Sequence, residues 1–125
     1  MAVLLRRIAV CSVALLALWP QLAWTHAFPQ HSQPKVGATV AVPPRRVQIW
    51  FDGALEPLFS SIRVQDANGS RVDTGDGHVN AADPTLLETS LGPLAPGTYR
   101  VVWSVVARDG HRTEGDFAFT LPQKE

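Results

Sequence analysis

The chain has 125 residues, enough for one domain, with 11 basic and 11 acidic side chains. That balance excludes the strong positive field that binding to nucleic acid or to an anionic membrane surface needs. A single cysteine, Cys11, excludes a disulfide framework.

Arg6 and Arg7 precede a continuous apolar run, Ile8 to Trp19, and small residues follow it. A basic start, an apolar run of about twelve residues and a small-residue exit are the pattern of a secretory signal. The run falls short of the roughly twenty apolar residues a spanning helix needs. Cleavage is therefore expected, with no stable membrane insertion afterwards. Cys11 and both arginines leave with the signal. Nine basic residues then face eleven acidic ones, a formal charge of −2, and the core must hold the fold without a disulfide. Two cuts put small residues at −3 and −1. One follows Thr25, making residues 1–25 the signal and His26 the new N-terminus. The other follows Ala27 and discards His26. The residues alone leave both open.

From residue 26 to 125 no long stretch has helical periodicity, and short β-rich runs alternate with turn signals, which predicts a sandwich or barrel of about seven strands. Pro29, Pro34 and Gly37 predict an edge strand and a loop between Ala27 and Val42. In Val47–Phe51, residues Val47, Ile49 and Phe51 share a face, and Asp52-Gly53 ends the run. Ile62 and Val64 point inward in Ser61–Gln65, and Asp66-Ala67-Asn68-Gly69 is a turn. Arg71 to Pro84 carries Asp73, Asp76 and Asp83 among glycines. Its spacing misses the EF-hand pattern, so a solvated loop is expected. Thr85–Thr89 returns as a strand. Pro96-Gly97 followed by Tyr99 suggests a tyrosine corner. Thr98–Val106 is the strongest strand, with Tyr99, Val101, Trp103 and Val105 on one face. Phe117, Phe119 and Leu121 mark the closing strand.

Of the four histidines, His31 and His78 fit a surface role. Asp109 and His111 flank Gly110 in a turn between the last two strands, where rigid flanks would fix both groups cheaply. Asp-Gly is equally a favoured hairpin pair, so the turn alone reads either way. An N-terminal His26 would add an α-amine and an imidazole from one residue. The amine has an ordinary pKa of roughly 7.7–8, so a metal can displace its proton near neutrality. With Asp109 and His111 this makes three nitrogens and one oxygen, a set that suits Cu(II), with Zn(II) as the competitor.

The start His26-Ala27-Phe28-Pro29, the block Phe51 to Phe59, the run Leu94 to Tyr99 with Trp103, the stretch Val105 to His111 and the closing Phe117-Ala118-Phe119 together resemble the CopC family of periplasmic copper-resistance proteins. The resemblance spans essentially the whole of residues 26–125. It implies a seven-stranded Greek-key β-barrel or immunoglobulin-like β-sandwich that binds Cu(II), and it favours the cut before His26. It implies His26, Asp109 and His111 as metal ligands, Glu56 as an outer ligand or second-shell acceptor, and Trp103 as packing. It further implies a binding protein rather than an enzyme, located in the periplasm and serving copper sequestration, resistance or delivery to an inner-membrane transporter of the CopD type. Some family members hold a methionine-rich Cu(I) site. Here Met1 is the single methionine, so one Cu(II) site and no thioether site is expected.

Two other readings compete. A terminal histidine chelate on a β-sandwich resembles the histidine brace of copper monooxygenases, but Asp109 would occupy a position that oxygen needs. A metal-free immunoglobulin-like adhesion or chaperone module would require the cut after Ala27 or a surface role for Asp109 and His111.

Overall fold

The computed structural model describes residues 26–124; the expected signal, residues 1–25, lies outside the described residues. The described residues form seven strands: β1 (Pro29–Gln33), β2 (Arg46–Phe51), β3 (Ser61–Gln65), β4 (His78–Val79), β5 (Leu86–Ser90), β6 (Gly97–Val106) and β7 (Arg112–Leu121). One short 3-10 turn, Pro57–Phe59, precedes β3. The strands divide into two antiparallel sheets, ordered β1-β2-β5-β4 and β3-β6-β7. This is the strand arrangement of an immunoglobulin constant-type sandwich.

The period-two patterns bury the faces they imply. Val47, Ile49 and Phe51 are buried on β2, Ile62 and Val64 on β3, Tyr99, Val101, Trp103 and Val105 on β6, and Phe117, Phe119 and Leu121 on β7. Burying a side chain of this kind contributes on the order of 1.5–3 kcal/mol. Antibody domains cross-link the second and sixth strands by a disulfide. Here Phe51 of β2 meets Trp103 of β6 edge-on, with ring centroids 5.2 Å apart. Trp103 fits because its neighbour across β7 is Gly115. A Cβ at Gly115 would stand 2.5 Å from Trp103 Cζ2, closer than atoms pack. The Tyr99 hydroxyl donates to the Ala95 carbonyl, so the tyrosine corner is present.

Three expectations need correction. β7 begins at Arg112, five residues before the apolar alternation at Phe117 becomes visible, because β6 pairs with it residue for residue from Gly97↔Leu121 to Val106↔Arg112. The stretch Arg71–Pro84 contains β4, which pairs with β5. Nor is it merely solvated, because its aspartates tie strands together. Asp73 Oδ2 accepts from the Val64 amide at 2.8 Å, and Asp76 accepts from Ser90 and Thr89 of β5.

The topology brings three chain segments to one end of the sandwich. The β6–β7 turn projects there. Leu55 bridges to Ala107, and the Glu56 amide donates to the Val106 carbonyl at 2.8 Å. Pairing of Pro29 with Phe51 at the start of β1 brings the residues before Pro29 to the same place.

Candidate metal centre

The β6–β7 turn is closed by its own backbone. The Ala107 amide donates to the His111 carbonyl and the Gly110 amide to the Ala107 carbonyl, each at 2.9 Å. Gly110 sits at φ +90°, where a side chain would be strained. Within the turn the His111 amide donates to Asp109 Oδ1 at 2.9 Å, and His111 Nδ1 lies 3.1 Å from Asp109 Oδ2. The Asp109 carboxyl is held below the usual carboxylate range, chiefly by the hydrogen bond from the His111 amide, against the opposing effect of burial; the side chain of His111 and the charge of His26 add to the lowering.

The third residue arrives from the other end of the chain. Ala27 is 0 % exposed and belongs to the core. Its carbonyl accepts from Thr113 Oγ1 at 2.8 Å. The Phe28 amide donates to Asp52 Oδ1 at 2.7 Å, and the Asp52 amide donates back to the Phe28 carbonyl at 2.9 Å. His26 is thereby held beside the turn, its ring centroid 4.7 Å from that of His111 and 5.8 Å from that of Phe28. His26, Asp109 and His111 each offer one ligand atom, and these atoms lie within 4.8 Å of one another. No other group of three or more such side chains converges among the described residues.

All three expected ligands are therefore together. Glu56 adjoins the turn through its backbone but is not in the converging set. The other two histidines lie elsewhere: His31 stacks on Trp50 with centroids 4.5 Å apart, and His78 Nδ1 is 2.7 Å from the Asp76 carbonyl. Sequence reasoning missed Thr113 and Asp52. Thr113 reaches a carbonyl 86 residues away, which leaves no local signal. Asp52 read only as the end of a strand.

The fold and the cluster define a small immunoglobulin-like β-sandwich that carries a two-histidine, one-aspartate group at one end. The chain belongs to the CopC family: residues 29–122 match the CopC domain, a stretch that includes Asp109 and His111 and begins three residues after His26. It superposes on the crystal structure of CopC from Methylosinus trichosporium OB3b with a TM-score of 0.70 and 34% identity, covering 80% of this chain and 97% of that one. Protein YobA of Escherichia coli (strain K12) is 32% identical over 99 residues, 78% of this chain and 80% of YobA. Copper transport protein CutJ of Bacillus subtilis (strain 168) is 29% identical over 107 residues, which are 85% of this chain but 20% of CutJ.

Proposed function

We propose that the chain is a periplasmic Cu(II)-binding protein that sequesters copper for resistance or passes it to an inner-membrane transporter of the CopD type. The observation that carries this reading is the convergence of His26, Asp109 and His111 ligand atoms within 4.8 Å. The donor set fits the ion. Imidazole, carboxylate and, after a cut before His26, an α-amine are nitrogen and oxygen donors that suit Cu(II). Residues 26–125 contain neither methionine nor cysteine, so the soft sulfur donors that select Cu(I) are missing. An Nδ1–H of His111 directed at Asp109 would leave Nε2 as the basic nitrogen, and the carboxylate has further lone pairs to offer. Glu56 would act as an outer acceptor.

Membership of the CopC family supports the copper cargo and the periplasmic setting. The match to one fifth of CutJ supports delivery, since a unit similar to this chain is there part of a single polypeptide named for copper transport. The cluster also opens to the surface beside exposed Phe28, and the 3-10 turn following Glu56 exposes Leu58 and Phe59. A cargo site that must release its ion gains from such access. We read the site as one for binding and hand-over, because Asp109 would occupy a copper position that a histidine-brace oxygenase leaves to oxygen.

Intact-mass measurement of the exported protein, followed by Cu(II) titration, tests the reading. We expect a chain beginning at His26 that binds one Cu(II), and a loss of more than about a hundredfold in affinity in His111→Ala, since even outer-shell changes cost 10–100-fold. A chain beginning at Phe28, or equal weak binding by both proteins, would refute it.

A further inference from the structure

We propose that Thr113 and Asp52 form a clamp that holds His26 against the Asp109–His111 turn in the metal-free protein, so that the site is formed before the ion arrives. The inference rests on the assignment of His26, Asp109 and His111 as the copper site, and it adds two positioning residues to them.

Terminal residues are usually poorly ordered unless something ties them down. Here every residue between His26 and β1 is tied. The Ala27 methyl is fully buried, and the backbone of His26 and Ala27 packs over Gly53, where an added Cβ would meet the His26 carbonyl at 3.6 Å. Thr113 Oγ1 holds the Ala27 carbonyl across 86 residues of sequence. Asp52 grips Phe28 twice, through its carboxylate and through its own amide. None of these contacts involves a proposed ligand atom, so none depends on the ion.

The arrangement links the two halves of the site through one strand. His111 immediately precedes β7 and Thr113 is its second residue, one offering a ligand and the other fixing the residue next to the second ligand. A shift of β7 therefore carries His26 and His111 together. Without the clamp, the ion would have to order residues 26–28 as it bound. Fixing the backbone of one residue corresponds to roughly a tenfold change in a binding constant.

The test compares exported protein with Thr113→Val, which keeps the shape and removes the donor, Thr113→Ser, which restores the hydroxyl, and Asp52→Ala at an exposed position. Hydrogen exchange of the Phe28 amide is measured without metal and with Cu(II), alongside competition titration of Cu(II). In the metal-free wild-type protein the Phe28 amide should exchange slowly. In Thr113→Val it should exchange quickly until Cu(II) is added, whereas in Asp52→Ala, which removes its acceptor, it should exchange quickly throughout; both should bind Cu(II) roughly tenfold more weakly, and Thr113→Ser should behave as wild type. Should Thr113→Val fail to fold, Asp52→Ala carries the comparison. Fast Phe28 exchange in the metal-free wild type overturns the clamp. So does unchanged affinity in the unprotected variants while His111→Ala loses binding, a result that leaves the copper reading standing. Wild-type protein that binds no Cu(II) removes both.

Discussion

The tripeptide Asp-Gly-His occurs twice in this chain, at Asp76-Gly77-His78 and at Asp109-Gly110-His111, and the two copies have different fates. In the second, the carboxylate turns inward on its own tripeptide, accepting from the His111 amide and facing the His111 ring. In the first, the carboxylate is taken by β5: Ser90 donates its amide and hydroxyl, each at 2.7 Å, and Thr89 its hydroxyl at 3.0 Å. His78 is left to contact the Asp76 carbonyl. The glycines differ too. Gly110 takes positive φ with open space around it, whereas Gly77 is pressed on Ile62. The same three residues thus make a structural tie where a neighbouring strand presents hydroxyls, and a candidate metal centre where topology brings in His26.

Crossing the two aspartates gives the largest expected effects. Asp109→Ala should lower Cu(II) affinity more than about tenfold and leave thermal stability almost unchanged, because its bonds lie within one turn. Asp76→Ala should do the reverse. Losing three hydrogen bonds to a charged acceptor, discounted for solvent exposure, should cost about 1–2 kcal/mol in denaturant unfolding, with Cu(II) affinity intact. If Asp76→Ala weakens copper binding as much as Asp109→Ala, the two copies are not functionally distinct.

The contrast also marks what could be read from residues alone. Strand faces were legible because alternation of apolar residues leaves one buried solution for each strand, and Tyr99 and Trp103 take the corner and packing roles expected of them. His26, Asp109 and His111 could be grouped because the chelate chemistry of an N-terminal histidine asks for partners of that type. The start of β7 was hidden because Arg112, Glu114 and Asp116 face solvent there and Gly115 makes room for Trp103. The aspartates of residues 71–84 looked solvated because their partners, Val64, Thr89 and Ser90, are distant in sequence or were unremarkable strand residues. Thr113 and Asp52 escaped for the same reason. A side-chain bond to a backbone group 86 residues away leaves no local pattern.

The two glycines separate space from dihedral preference. Gly110→Ala should cost about 1 kcal/mol through left-handed strain, and Gly110→Asn much less, since asparagine enters that region more readily. At Gly77 no such rescue is expected. A Cβ would stand 2.9 Å from both the Ile62 carbonyl and its Cγ2, so alanine and asparagine should each destabilise by about 1 kcal/mol or more. Equilibrium unfolding of the four variants is the measurement. A Gly77→Asn protein as stable as Gly110→Asn would show that the contact at Ile62 yields easily.

The smallest expected effect separates charge from shape at Asp76. Its carboxyl is held well below the usual carboxylate range, first by the Ser90 hydroxyl, then by the Ser90 amide and, more weakly, by Thr74 and Thr89, against burial. A folded-state pKa below the unfolded value means that the unfolded chain binds more protons between the two, so stability rises with pH there. The contribution is complete above the unfolded value of roughly 3.9 and is lost as pH falls from there through the folded value. Asp76→Asn keeps one acceptor and removes the charge. It should therefore be less stable than wild type at pH 7, by a gap that narrows towards pH 3 without closing, because the folded-state pKa lies lower still. Denaturant unfolding of both proteins across that range decides the matter, and a gap that stays constant would assign the tie to hydrogen-bond geometry alone.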